Sequence, residues 1–250
     1  MILIIAAREL RSLFLSPPAW TLLAVMQGSL AWIFIILVGD FQDLQGRLVG
    51  LENAPGVTDL VAAPLFRVAA WGLLLVTPLL TMRLFSEERR TGALDLLLSA
   101  PVGIFTIVFG KYLGVLTFLL MLVALAALMP LMLAAGAALD FGKLAAGTLG
   151  LSLFAASFAA AGLYLSALTT QPAVAASATF GLLLAFWIVD VVGAGQGAIS
   201  PLFAYLSLPR HGDALLIGLF RSKDLAYYLL FSAAFLGLTI RRLDNARLRG

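Results

Sequence analysis

Six apolar blocks dominate this chain and limit what it can fold into. Read with a window of about 19 residues, they run roughly Pro18–Val38, Val68–Phe85, Tyr112–Ala134, Leu144–Leu168, Ala173–Val192 and Leu225–Ile240. At 1.5 Å of rise per residue, about 20 residues cross the hydrocarbon core of a bilayer. Backbone amides in lipid find no water to bond, so such blocks are helices. The expected fold is an all-α polytopic membrane protein with six transmembrane helices in one domain, residues 1–250. Composition agrees: 62% of residues are hydrophobic and only 12% are charged, about half the charge of a soluble domain. A soluble enzyme, a disordered chain and a compact nucleic-acid-binding domain are thereby excluded, and no nucleic-acid partner is expected.

The charges assign the sides. Arg67, Lys111 and Asp190 fall near span ends, where a long side chain can reach the headgroups, and no ionisable residue is expected mid-span. With six spans, both termini share one side. That side holds Arg8, Arg11, Arg83, Arg89, Arg90, Lys111, Arg241, Arg242, Arg247 and Arg249; the other holds Arg47, Arg67, Lys143, Arg210, Arg221 and Lys223. Ten against six places both termini in the cytoplasm. The first outer loop, Gly39–Val61, agrees with its four acids and one arginine. Abundant Ala and Leu, with Arg preferred over Lys, point to a bacterial inner membrane.

Three segments outside the spans carry structure of their own. Residues 1–16 are too short and too charged to cross. As a helix they place Arg8, Arg11 and Ser12 on one side and Leu3, Ala6, Ala7, Leu10 and Phe14 on another, which suits an interfacial helix ended by Pro17 and Pro18. The alternative is that they extend the first span. Residues 193–223 hold two short apolar pieces, Ala198–Leu208 and Ala214–Phe220, broken by Pro201, Pro209 and Gly212. Re-entrant outer helices before the sixth span fit this pattern, as does an ordinary loop with an apolar patch. His211, between Arg210 and Gly212, reads as an exposed loop residue. Spans four and five are rich in small residues, Ser152, Ala156 and Ala160 and then Ala173 and Ala175–Ala178, which mark helix–helix contacts within or between subunits.

The third segment, residues 86–100 between spans two and three, reads Ser-Glu-Glu-Arg-Arg-Thr-Gly-Ala-Leu-Asp-Leu-Leu-Leu-Ser-Ala. Ser86 is placed to cap a helix whose first turn holds Glu87 and Glu88. Leu94, Leu97 and Leu98 form an apolar stripe, and Pro101 stops the helix. A short cytoplasmic amphipathic helix bearing both signs of charge suits docking into a groove on a soluble partner.

The run EERRTGALDLLLSAPVGIFTIVFGKYLG resembles the signature of type-2 ABC transporter permeases, closest to the gliding-motility-type subgroup. The layout is also similar: an N-terminal interfacial helix, six spans, and Ile199-Ser200-Pro201 before the last span. The resemblance implies a membrane-spanning permease subunit of an ATP-driven transporter, probing its ATPase through a coupling helix at residues 86–98. Glu87, Glu88, Arg89, Arg90, Thr91, Gly92 and Asp95 would then contact the ATPase. It also implies two cytoplasmic ATPase copies and a second permease subunit, identical or paralogous.

The chain itself has no G-x-x-x-x-G-K-[ST] phosphate loop, so ATP would be bound by the partner and no cofactor by this chain. Without cysteine and with one histidine, no metal site, thiol nucleophile or intramembrane protease constellation is expected, and the chain is not expected to be an enzyme. A substrate path lined by Trp32, Phe34, Trp71 and Phe186 would be apolar and would favour export of amphipathic cargo. The rival expectation is a force-transmitting module with a periplasmic partner for envelope or gliding machinery. A channel or scramblase without an ATPase is a third.

Overall fold

The computed structural model describes residues 1–48, 55–99, 101–193, 207–216 and 218–247. Helix α1 (Ile2–Leu15) leads through Ser16 into α2 (Pro17–Leu48). A π-helical turn, Thr58–Ala62, opens α3 (Ala63–Thr81), and two short helices follow, α4 (Ser86–Thr91) and α5 (Ala93–Ser99). Then come α6 (Ile104–Leu131), α7 (Phe141–Leu168), α8 (Pro172–Gly193), the short α9 (Leu208–Leu216) and α10 (Ser222–Arg247). Six of these, α2, α3, α6, α7, α8 and α10, are long and apolar enough to cross a membrane. No strand occurs among the described residues.

The helices outrun the spans read from hydropathy. Helix α2 continues through Gly39 to Leu48, where a loop was expected, because no proline interrupts it and its polar tail needs no burial. Its 32 residues measure roughly 48 Å, well beyond the hydrocarbon thickness. The last helix runs from Ser222 to Arg247 rather than Leu225–Ile240, since charged residues at its ends continue the helix without being apolar.

Helix α7 is the axis of the bundle. It touches α3, α6, α8, α9 and α10, and 72% of its most apolar window is buried, against 11% for α2. Small residues make this possible. A Cβ on Gly162 would lie 2.2 Å from Thr81 Oγ1, so α3 and α7 meet at glycine distance. Of the Ser152, Ala156 and Ala160 repeat, Ala160 is fully buried inside the subunit, and the Tyr112 hydroxyl donates to the Ala156 carbonyl at 3.2 Å.

Helix α1 packs along α6. On α6, a Cβ at Gly110 would be 2.7 Å from Ile5 Cβ, and one at Gly114 would be 2.7 Å from Glu9 Cβ. Two glycines four apart form a flat strip that admits a second backbone. The face of α1 turned inward is therefore Ile5, Ala6, Glu9, Leu10 and Leu13, whereas Leu3 and Ala7 of the expected apolar side are exposed. The helix is rotated so that an acid, Glu9, is on the packed side.

Helix α1 and the end of α10 lie at one pole of the bundle, with α4 and α5; α5 touches α10 there. At the opposite pole α9 lies on α7, and two expectations are corrected. Pro209 and Gly212 do not break the segment: Pro209 occupies the first turn of α9, where its missing N–H costs nothing, and Gly212 lets Phe154 approach to within 2.4 Å of where a Cβ would stand. His211 is buried, not exposed. Its Nδ1 is 2.6 Å from Asp224 Oδ1, and its ring stacks on Tyr227 at 4.2 Å. The Tyr228 hydroxyl donates to the Leu208 carbonyl at 2.7 Å, so α9 is tied to α10 twice. The Ile199-Ser200-Pro201 segment and most of Ala198–Leu208 lie outside the described residues.

Gly162→Ala is expected to lower the stability of the detergent-purified protein by about 1–3 kcal/mol, the usual cost of overpacking. Gly28→Ala, where a Cβ meets nothing within 4 Å, is expected to leave it unchanged. Thermal melting of the two variants side by side reads the contrast.

Candidate functional site

Lys111 organises the pole that carries the termini. It sits about two turns into α6 with 3% of its side chain exposed, so it is enclosed by the bundle and does not reach out to the surface as a span-end lysine would. An ammonium has three N–H donors, and each finds an acceptor. Lys111 Nζ donates to Glu88 Oε1 of α4 at 2.8 Å, to the Leu84 carbonyl after α3 at 2.8 Å, and to Glu9 Oε2 of α1 at 3.3 Å. The Phe85 ring lies 5.2 Å away. One buried cation thereby binds α1, the α3–α4 turn, α4 and α6. Arg8 Nη2 approaches Glu88 Oε1 from outside at 3.9 Å.

The α3–α4 turn is held from the other side by α7. The amides of Phe85 and Ser86 both donate to Ser166 Oγ, at 3.0 and 3.2 Å, and Ser166 Oγ donates to the Met82 carbonyl at 3.0 Å. Ser86 is fully buried, and its hydroxyl donates back to the Met82 carbonyl. It therefore does not cap α4 as its position suggested; Phe85 stands at the N-cap with no side-chain cap bond.

The expected single helix at 86–98 is two. Gly92, at φ 73°, closes α4 in the left-handed conformation, with its N–H on the Arg89 carbonyl at 3.3 Å, and α5 starts at Ala93. A residue with a Cβ pays for that φ, which is why glycine sits there. Arg90, Thr91, Gly92 and Ala93 are exposed and form the tip, with Leu96 76% exposed behind it, while Leu94 is buried. Glu87 is half-exposed and bridges Arg83 at 3.8 Å and Arg90 at 3.6 Å. Arg89 is half-buried. Glu88 differs from its neighbours: it is 18% exposed and bound to Lys111. The side chains of Asp95 and Leu98 lie outside the described residues.

The four residues expected to line a path have separate surroundings. Trp32 is 68% exposed on α2, and Phe34 packs against the core. Trp71 borders an apolar groove between α2 and α3 and leans on Trp187 of α8 at 4.6 Å. Phe186 meets Phe231 of α10 edge-on at 5.4 Å.

Glu9, Lys111 and Ser166 escaped the reading of the sequence as site residues. Lys111 carried a signal: it stands inside Gly110-x-x-x-Gly114, a pattern for close helix contact, so a packed partner for that face was predictable. Glu9 was the only acid in the first 39 residues, inside an otherwise basic segment. Ser166 had no signal, since a lone serine in a span is ordinary.

An all-α chain with six membrane-crossing helices and a polar cluster at one pole defines the class of multi-pass membrane proteins. Residues 48–209, well over half of the chain, match the family described as ABC-2 family transporter protein, and the chain belongs to that family. The matched stretch holds α3 to α8, including the whole α4–Gly92–α5 segment. No curated protein matches the chain. Membership makes the chain a permease subunit of an ABC transporter, in a family whose members generally partner with an ABC ATPase.

Lys111→Met leaves two half-buried carboxylates without their buried cation and is expected to cost about 3 kcal/mol. The triple change Lys111→Met, Glu9→Gln, Glu88→Gln removes the charge imbalance and is expected to recover more than half of that loss. Thermal inactivation of the purified variants reads both.

Proposed function

We propose that this permease couples ATP hydrolysis by a separate ATPase to substrate export, with α4 and α5 as the coupling helix and α1 as a helix lying in the cytoplasmic interface. The observation that carries the reading is the exposed tip Arg90–Ala93, whose root is bonded into α1, α6 and α7. A push on such a tip moves α4 with Lys111 and Ser166, and so displaces the lower ends of α3, α6 and α7 together. In this reading Glu87, Arg90, Thr91 and Gly92 contact the ATPase, Arg89 supports them, and Glu88 acts inside the subunit through Lys111. The chain performs no catalysis itself; the absence of a phosphate loop from the sequence supports this. Both termini lie in the cytoplasm of a bacterial inner membrane, as the ten-to-six distribution of Lys and Arg favours.

A second permease subunit completes the path, with two ATPase copies beneath. Support comes from the outward face of α8, where Ala173, Ser177, Gly181 and Ala185 recur every four residues and are all exposed, with nothing within 4 Å of a Cβ at Gly181. Small residues at that spacing let a second helix approach closely in lipid. Trp32 and the sparsely buried α2 are free to face the same partner or the bilayer.

Two experiments test this. Tagged protein purified in mild detergent from cells expressing the neighbouring ATPase gene is expected to bring the ATPase with it. Arg90→Glu and Gly92→Val are each expected to reduce recovery by about tenfold or more, as loss of a desolvated charge contact or of the tip geometry would. Failure of the wild type to recover any ATPase refutes the coupling reading. Since the chain has no cysteine, Gly181→Cys is expected to give an oxidation-dependent dimer in membranes, whereas Leu120→Cys on α6 is not.

A further inference from the structure

A cavity of about 260 Å³ opens at the terminal pole between α1, the start of α2, the end of α3 and α4. Its charged wall holds Arg8, Arg83 and Lys111 together with Glu9, Glu87 and Glu88. An apolar groove of about 330 Å³ runs from it between α2 and α3, and the two share Leu22 and Leu79 as a common border. Either volume alone lies near the lower end of small-molecule sites, about 300 Å³. Joined end to end they make a slot that is charged at the membrane surface and apolar along the span. The groove stays open because α2 packs sparsely, with Ala19, Met26 and Leu30 its buried apolar residues, and because position 72 is glycine: a Cβ there would stand 3.2 Å from Met26 Cε.

We propose that this slot binds one membrane phospholipid with a primary-amine headgroup, its phosphate on Arg8 and Arg83, its ammonium on Glu87, and an acyl chain between α2 and α3. The charge pattern selects the headgroup. Among the described residues Arg8 and Arg83 make only long ion pairs, at 3.9 and 3.8 Å, and are more than half exposed, so each guanidinium has donors to spare for a phosphate. Opposite them, Glu87 is two-fifths exposed and its pairs with Arg83 and Arg90 are long, at 3.8 and 3.6 Å, so its carboxylate has lone pairs open to a donor. A headgroup with phosphate alone brings a second anion against Glu87 and Glu88. A quaternary ammonium balances the charge and has no N–H to give. A primary ammonium does both. The proposal needs only that the six helices span a bilayer; it shares Glu87 with the ATPase contact proposed above, and since the titration uses the permease alone, its failure leaves that contact untouched.

Native mass spectrometry of the full chain in detergent micelles tests it, titrating phosphatidylethanolamine, phosphatidylcholine and phosphatidylglycerol with identical acyl chains. Phosphatidylethanolamine is expected to bind about tenfold or more tightly than the other two, as one hydrogen bond to a charged group implies. Water-soluble glycerophosphoethanolamine at the same concentration is expected not to displace it. Arg83→Gln at the polar end and Leu79→Trp in the groove are each expected to lose about tenfold; both side chains are at least two-fifths exposed, so the fold tolerates the change. Equal binding of the three lipids to the wild type overturns the headgroup assignment without recourse to any variant. Displacement by the soluble headgroup, or unchanged binding in both variants, overturns the slot.

Discussion

An ammonium two turns inside a helical bundle has to be surrounded by acceptors, and the terminal pole of this protein is arranged around that demand. Lys111 is almost fully buried and bonded on all three N–H groups, so α1, α4 and the turn after α3 cannot move from α6 independently. The attraction within such a cluster only roughly offsets the desolvation of its charges, so its value lies less in net stability than in fixing which groups meet. Ser166 does the same from α7 with neutral hydrogen bonds. The short helix that reaches out of the bundle is thus anchored on both sides at its root and left free at its tip.

This division between root and tip gives the segment its mechanical sense. A helix free along its whole length would absorb a push by bending, while one buried along its whole length would offer a partner no surface. The break at Gly92 sets the boundary: before it, α4 spends Glu88 on the interior, and after it, Leu94 re-enters the core. The opposite pole is fastened by different chemistry, with the Asp59–Lys143 pair at 2.7 Å and the His211–Asp224 pair at 2.6 Å holding the outer turns. Between the poles, apolar and small side chains pack on α7, with hydrogen bonds from Tyr112 to the Ala156 carbonyl and between Ser157 and Ser232 across to α6 and α10.

Much of this was readable before any coordinates. Six spans, the short segment between the second and third, and an extra helix at the N-terminus all follow from runs of apolar residues and from prolines, which act locally. Hydrophobicity put Leu3, Ala7, Leu10 and Phe14 on one side of α1, and only the bundle shows that Glu9 turns inward to meet a lysine 102 residues away. His211 looked like a loop residue because its neighbours are Arg210 and Gly212, yet Asp224 and Tyr227 enclose it. Glu87 and Glu88 stand side by side in a charged run, and only the bundle distinguishes them, with Glu88 on Lys111 and Glu87 on Arg83 and Arg90.

What the sequence determined by itself is the membrane, the number of spans and the segment that leaves it, because the bilayer imposes the same cost on every polar group and hydropathy measures that cost residue by residue. What only the tertiary structure decided is where each charge within those segments goes. A side chain such as Lys111 has two physically acceptable fates, extension to the headgroups or burial among acceptors. The choice rests on whether Glu9, Glu88 and the Leu84 carbonyl arrive together, and no local pattern encodes that arrival.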